Sequence, residues 1–159
     1  MSVTPYQMTT AIAACLLFAN MGAAQEIQTT LQISPQGGGK CAEVPNREFV
    51  RDQQLQMQDC NSSPAQTFTY DQARTRLTIG GLCVDANGGQ PGDLVKLWPC
   101  DGGVNQVWKL EQKGTFAKLI GTSGLCLDIR YGSTASGAPL QSWTCGDAEP
   151  NQLWSFRGK

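Results

Sequence analysis

The 159-residue sequence contains no histidine and no excess of charge of either sign. Without an imidazole, Ser-His-Asp and Cys-His catalysis and histidine-ligated metal sites are excluded. Twelve basic and 13 acidic residues give a net charge of −1, so the chain lacks the basic surface that nucleic-acid phosphates or anionic lipids attract. We therefore expect no nucleic-acid partner, no metal and no cofactor.

The sequence also lacks an apolar run of the ~20 residues that a membrane-spanning helix needs, so we expect no membrane insertion. Residues 1–24 carry no charge, and within them residues 8–19 form an apolar stretch followed by small residues up to Ala24. This pattern predicts a cleaved signal peptide over residues 1–24 and a secreted protein of residues 25–159. An uncleaved anchor is the alternative.

Six cysteines lie beyond residue 24, an even number that predicts a disulfide framework in a secreted chain. They form three successive pairs with separations of 19, 17 and 19, and the first members of the pairs recur at intervals of 42 and 43. Each pair is therefore predicted to close its own loop. A zinc site is disfavoured because no Cys-x-x-Cys spacing exists. The predicted pairs are Cys41–Cys60, Cys83–Cys100 and Cys126–Cys145.

The cysteine pairs mark three copies of one unit of about 40 residues. Each unit runs from Gly and Cys through a turn-rich stretch and an alternating segment to the second Cys, and then to Gln-x-aromatic. Short segments such as 94–98 and 140–143 alternate polar and apolar residues, which is typical of β-strands. Three small all-β units that cannot bury their own faces are expected to pack around a shared axis.

The recurring elements Cys-x-Asp, Gln/Lys-x-Trp-x-Cys and Asn-Gln-x-Trp resemble those of the ricin B-type β-trefoil lectin domain, over roughly residues 30–159. The resemblance implies a β-trefoil that binds galactose-type or xylan-type sugars in one shallow pocket per repeat, without enzymatic activity. The residue types suit this chemistry. A carboxylate accepts hydrogen bonds from sugar hydroxyls, an amide donates and accepts, and an aromatic ring contacts the apolar face of the sugar.

The third repeat carries every element of this pattern. The resemblance implies that Asp128 accepts from paired hydroxyls and that Trp143 stacks under the sugar ring. Gln141, Asn151 and Gln152 are then expected to fix the orientation of the sugar.

The second repeat matches with one change. Asp85, Trp98, Asn105 and Gln106 occupy the corresponding positions, but Lys96 replaces the glutamine two residues before the aromatic. We expect a pocket here with altered chemistry, and a basic residue of this kind suits an acidic glycan.

The first repeat departs from the pattern at three positions. Glu43 replaces the aspartate, Gln58 the aromatic and Ala65 the asparagine, while Gln56 and Gln66 remain. This repeat is predicted to be structural, without a working pocket. The sequence 61–63 forms an Asn-x-Ser glycosylation sequon in the same repeat.

The recurring aspartates have an alternative interpretation as turn residues that bond local backbone. The repeat that loses its aspartate also loses the aromatic and the asparagine, and this correlated loss favours a pocket. For the aromatic residues that end the repeats, the core is the favoured location. These are Phe68, Trp108 and Trp154.

The leading hypothesis is a secreted, non-catalytic lectin whose partners are glycans. A glycosidase using Asp85 and Asp128 is disfavoured, because threefold-related positions are expected to lie far apart while such enzymes need neighbouring carboxyl groups. Two interaction roles stay open: the cell-binding subunit of a multi-chain toxin, which implies a partner chain, and a trefoil-type protease inhibitor.

Overall fold

The computed structural model describes residues 28–158, so the predicted signal peptide and its cleavage site lie outside the described residues. Within this range the chain forms twelve β-strands. They are β1 (Gln28–Pro35), β2 (Lys40–Glu43), β3 (Gln56–Asp59), β4 (Phe68–Asp71), β5 (Arg76–Ile79), β6 (Leu82–Asp85), β7 (Lys96–Trp98), β8 (Trp108–Lys113), β9 (Phe116–Gly121), β10 (Leu125–Ile129), β11 (Leu140–Thr144) and β12 (Trp154–Gly158).

The other regular elements between residues 28 and 158 are five single turns of 3₁₀ helix, and no α-helix occurs there. Three of these turns begin with proline, whose fixed φ suits the start of a helical turn. The all-β prediction is confirmed. The turns are Pro45–Arg47, Pro64–Gln66, Val104–Gln106, Arg130–Gly132 and Pro150–Gln152.

Each repeat contributes four strands, of which the outer two enter a barrel and the inner two form a hairpin. The barrel neighbours pair antiparallel as β1–β4, β4–β5, β8–β9, β9–β12 and β12–β1. Between β5 and β8, the Trp108 N–H donates to the Thr75 carbonyl at 2.7 Å. The hairpins are β2–β3, β6–β7 and β10–β11.

A ring of backbone hydrogen bonds joins the three hairpins. The Leu55 N–H donates to the Val95 carbonyl, the Val95 N–H to the Leu140 carbonyl, and the Leu140 N–H to the Leu55 carbonyl, each at 3.0 Å. The cycle relates the three repeats by an approximate threefold axis. Packing around a shared axis, as the repeats predicted, is therefore confirmed.

The aromatic residues that end the repeats are fully buried, as predicted: Phe68, Trp108 and Trp154. The indole Nε1–H of Trp108 donates to the Val84 carbonyl at 2.9 Å, and that of Trp154 to the Leu127 carbonyl at 3.0 Å. Each acceptor residue immediately precedes the candidate site aspartate of its repeat, Asp85 or Asp128, in the sequence. The core therefore fixes the strands that carry these carboxylates.

All three predicted disulfides are present: Cys41–Cys60, Cys83–Cys100 and Cys126–Cys145. Each joins a cysteine in the first strand of a hairpin to a cysteine that lies just after the second strand. The repeats are thus crosslinked internally, and contacts between repeats rest on packing and hydrogen bonds.

Removing one disulfide is expected to lower the free energy of unfolding by about 3 kcal/mol, because the unfolded chain regains the freedom of the opened loop. Replacing Cys126 and Cys145 by alanine should match the effect of replacing Cys41 and Cys60, since both pairs span 19 residues. Urea titrations of the two double variants test this. Losses that differ several-fold between them would contradict a purely local crosslink.

Candidate functional site

Four predicted polar residues of the third repeat converge in the structure. Strand register places Asp128 opposite Gln141 in the β10–β11 hairpin. The Gln141 Nε2 donates to Asp128 Oδ1 at 2.8 Å, while Asn151 Nδ2 and Gln152 Nε2 donate to Oδ2 at 2.6 and 2.8 Å. The carboxylate is therefore held in one orientation by three amide donors.

The Asp128 carboxyl group is almost fully buried, with 1% of the residue exposed. Burial raises its pKa above the ordinary value for aspartate, and the hydrogen bonds from Gln141, Gln152 and Asn151 oppose that rise. A carboxylate offers about four acceptor positions, of which the three amides occupy three. One position remains for a donor from a bound molecule.

Trp143 differs from the core tryptophans because 46% of it is exposed. It shares a cavity of about 720 Å³ with Asp128, and Tyr131, which is 88% exposed, stands at the same cavity. An apolar ring and a buried hydrogen-bond acceptor thus line the same cavity. The lining comprises Pro91, Gly92, Asp93, Asp128, Arg130, Tyr131, Gly132, Gln141, Trp143, Glu149 and Asn151.

Gln152 lies behind the carboxylate rather than at the surface, since it is buried. Its Nε2 also donates to the Thr144 carbonyl at 3.0 Å, and its Oε1 accepts from the Gly146 N–H at 2.9 Å. The buried Lys118 Nζ in turn donates to the Gly146 carbonyl. These contacts make Gln152 a positioning residue for Asp128.

The second repeat holds its carboxylate with fewer side-chain donors. Asp85 accepts from Gln106 Nε2 at 3.2 Å and from the Asn87 backbone N–H at 2.7 Å. Lys96 lies opposite Asp85 in the strand register, but its Nζ donates to Asp52 Oδ1 at 2.6 Å. The lysine thus pairs with a residue of the preceding repeat.

The cavity of the second repeat is small, at about 220 Å³. Trp98 lines it and is partly buried, and Asn105 is exposed at its rim. Four of the five predicted residues therefore line one cavity. Its lining comprises Asp85, Asn87, Lys96, Trp98, Asp101, Gly103 and Asn105, with Gln106 beneath.

The first repeat keeps the carboxylate–amide arrangement without an aromatic ring. Glu43 accepts from Gln66 Nε2 at 2.8 Å, from Asn61 Nδ2 at 3.4 Å and from Gln56 Nε2 at 3.5 Å. Gln58 occupies the strand position of the stacking tryptophans, opposite the first cysteine of the repeat. A cavity of about 370 Å³ adjoins Glu43. That this repeat does not bind stays a prediction.

Comparison with known proteins identifies a family that this chain matches. Residues 29–154 match the ricin-type beta-trefoil lectin domain. The chain belongs to this family. Beta-galactoside-specific lectin 2 of Viscum album is 39% identical to this lectin domain over 41 residues, which are 25% of this chain and 7% of that protein. The chain also matches about 7% of the length of the other first curated relatives.

Solved structures show the same fold as this lectin domain. The designed threefold-symmetric protein ThreeFoil matches with a TM-score of 0.75 and 23% identity over 80% of this chain and 96% of its own. The C-half of an earthworm R-type lectin, solved with GalNAc, matches with a TM-score of 0.68 and 17% identity over 82% and 99%. The β-trefoil prediction is confirmed.

Sequence reasoning missed a turn that the lectin domain brings to the third pocket from the second repeat. Pro91, Gly92 and Asp93 line the cavity beside Trp143. A Cβ on Gly92 would lie 3.5 Å from Cζ3 of Trp143, and Gly92 has a φ of 93°, so the turn approaches the ring closely and favours glycine. The Pro-Gly pair is typical of a turn, but the tryptophan that this turn approaches lies in the next repeat.

Two structural features are absent from residues 28–158 of the lectin domain. No helix in this range is both long and apolar enough to cross a membrane. In the same range, no three Cys, Asp or Glu side chains lie together in a way that could hold a metal ion.

Proposed function

We propose that this ricin-type lectin domain is a secreted, non-catalytic lectin for galactose-type or related sugars. Its principal pocket is that of the third repeat, and the second repeat provides a lesser one. The observation that carries the proposal is the buried Asp128, fixed by three amide donors, beside the exposed ring of Trp143. Residues 1–24 are then the signal peptide.

A pyranose fits the third pocket by simple chemistry. Its apolar C–H face packs on Trp143, and one hydroxyl donates to the acceptor position of Asp128 that the amides leave open. A hydrogen bond to a charged acceptor is stronger than one between neutral groups. Asn151 lines the cavity, where its amide can also contact a hydroxyl. A single shallow pocket binds weakly, and two pockets on one rigid body raise the avidity for multivalent glycans.

Galactose-type sugars are favoured by the relatives. The mistletoe relative is named a β-galactoside-specific lectin, and the earthworm lectin was solved with GalNAc. Neither fact assigns the sugar of this chain, and xylan-type polysaccharides suit the same pocket chemistry.

A catalytic role is disfavoured by the surroundings of Asp128. Both oxygens of its carboxyl group accept from amides, so the group is arranged to receive hydrogen bonds and not to donate a proton to a leaving group. A general acid in glycoside hydrolysis must be protonated and must face the scissile oxygen. Turnover of aryl glycosides that disappears on substitution of Asp128 would contradict the non-catalytic assignment.

A glycan array probed with the purified, disulfide-intact protein tests the proposal. Binding to terminal galactose-type sugars that free lactose competes away is the expected result. Binding to xylan fragments alone would keep the lectin function and replace the sugar class. No binding by a folded sample would overturn the lectin function. The toxin-subunit and protease-inhibitor roles would then be tested by partner capture from the native source and by protease assays.

Replacing Trp143 by alanine is expected to weaken sugar binding up to about tenfold, because the sugar loses its stacking surface. The free energy of unfolding should change little, since the side chain is half exposed. Isothermal titration with lactose measures the affinity. The matched control is Trp98→Ala at the equivalent strand position, for which we expect a much smaller change. Equal losses in the two variants would show that the third repeat is not the principal site.

A further inference from the structure

The second and third pockets each face a turn from the preceding repeat, and the two turns are structurally equivalent. The Asp52 N–H donates to the Leu97 carbonyl at 2.9 Å, and the Gly92 N–H donates to the Ser142 carbonyl at 2.7 Å. Both turn residues have positive φ, 66° and 93°. Each acceptor lies one residue before the tryptophan of its pocket. The two pockets can therefore be compared position by position.

At the second pocket, the turn places charged side chains against the tryptophan. The guanidinium carbon of Arg51 lies 3.7 Å from the ring centroid of Trp98, and Lys96 Nζ lies 5.0 Å from it. Asp52 accepts from Lys96 at 2.6 Å and lies 3.9 Å from Arg51 Nε. One ring face of Trp98 is therefore covered by a cation that the turn supplies.

At the third pocket, the equivalent positions carry no charge. Pro91 stands in the place of Arg51, Gly92 in that of Asp52 and Gln141 in that of Lys96. The proline and the glycine line the same cavity as Trp143 and bring no cation to its ring.

The cavities beside the two tryptophans also differ. Asp128 and Trp143 line one cavity of about 720 Å³ that includes residues of the preceding repeat and another of about 340 Å³ within the third repeat. The cavity at Trp98 measures about 220 Å³ and its lining lies within the second repeat. Gln141 donates to Asp128, but Lys96, held by Asp52, is turned toward the preceding repeat. In the second repeat, residues of the turn therefore contact both the ring of Trp98 and Lys96, the residue opposite the carboxylate.

We propose that Arg51 is a specificity-determining residue that weakens sugar binding by the second repeat, because it occupies a face of Trp98 that a sugar would use. The inference rests on the proposed lectin function and deepens it. A sugar that stacks there must first displace the guanidinium, which is 63% exposed and therefore free to move without disturbing the core. The neighbouring repeat thus weakens the second pocket in addition to the smaller number of side-chain donors to Asp85.

The test isolates the second pocket by disabling the third with Asp128→Asn. Lactose is titrated while the indole N–H resonance of Trp98 is followed by NMR. Adding Arg51→Ala should tighten binding at Trp98 by about two- to fivefold, since the competing cation–π contact is lost. Adding Arg157→Ala, which removes an exposed arginine on β12, is the matched control and should leave binding at Trp98 unchanged.

The reciprocal change is Pro91→Arg in the otherwise unaltered chain. It should lower lactose affinity at Trp143 by about fivefold, because an arginine at this position can cover that ring in the same way. If Arg51→Ala leaves binding at Trp98 unchanged or weaker while the unaltered protein binds lactose at Trp143, this proposal fails and the lectin function stands. If the unaltered protein binds lactose at neither ring, both fail.

Discussion

Asp128→Asn is expected to remove most sugar binding while the protein stays folded. The asparagine has the same shape but no charge, and its amide nitrogen is a donor facing groups that already donate. Losing a hydrogen bond to a charged acceptor costs about 1.5–3 kcal/mol, or roughly 10- to 150-fold in affinity. Lactose titration of the unaltered and variant proteins measures this loss. An unchanged affinity would show that the sugar does not contact Asp128.

Asp128→Asn should affect the thermal stability of the protein differently from its affinity for lactose. Burial raises the pKa of Asp128, so the folded state disfavours the charged form. The stabilising contribution of the protonated group is present at low pH and is lost as the pH rises through the raised pKa. At neutral pH the unaltered protein therefore bears a charge-burial penalty that the asparagine lacks. The asparagine also leaves an amide donor facing other donors, and the two effects oppose each other. Circular dichroism should therefore show a melting temperature for Asp128→Asn close to that of the unaltered protein.

The pH dependence of binding is the internal control for this prediction. As the pH falls through the raised pKa, protonation converts an acceptor oxygen of Asp128 into a donor, and lactose affinity should fall. The residual binding of Asp128→Asn should not show this decline. Asp85→Asn, at the equivalent position of the second repeat, should leave the total affinity nearly unchanged. A decline of equal size in all three proteins would point to another titrating group.

Trp154→Ala is expected to have the largest effect on stability, a loss of about 3–5 kcal/mol in the free energy of unfolding. The side chain is fully buried, and its removal leaves both a cavity and an unpaired carbonyl at Leu127. Urea denaturation measures the loss. Trp143→Ala removes the same side chain from a half-exposed position and should cost far less.

A conservative variant separates the two contributions of Trp154. Trp154→Phe retains a ring in the core but removes the indole N–H, so the Leu127 carbonyl loses its donor. We expect an intermediate loss of about 1–3 kcal/mol. Since Leu127 precedes Asp128, this variant should also loosen the third pocket and weaken lactose binding. A loss as large as that of Trp154→Ala would show that the hydrogen bond outweighs the packing.

The features that could be predicted from the sequence are those that arise within one repeat. Each disulfide closes a loop of fewer than 20 residues, so even spacing was enough to assign the pairs. The same crosslink fixes hairpin register, which places Cys126 opposite Trp143 and Asp128 opposite Gln141. Convergence of the third-repeat residues therefore followed from a pattern visible along the chain.

Contacts between repeats could not be predicted in this way. Aligning the repeats placed Lys96 beside Asp85, but the lysine pairs with Asp52, which belongs to another copy of the unit. The first repeat contains a similar case. Ala65 stands where the pattern has an asparagine, but Asn61, at a different sequence position, donates to Glu43. A repeat alignment does not show when a side chain takes the spatial place of another from a different sequence position.

The ring of hydrogen bonds among Leu55, Val95 and Leu140 places a turn of each repeat beside the hairpin of the next. At the third hairpin the turn of its predecessor lines the cavity, and at the second hairpin it covers a face of Trp98. For the first hairpin that predecessor is the third, whose Gly137 N–H donates to the Met57 carbonyl at 2.8 Å. A substitution in one repeat therefore alters the surroundings of a tryptophan in the next, as Arg51 does at Trp98.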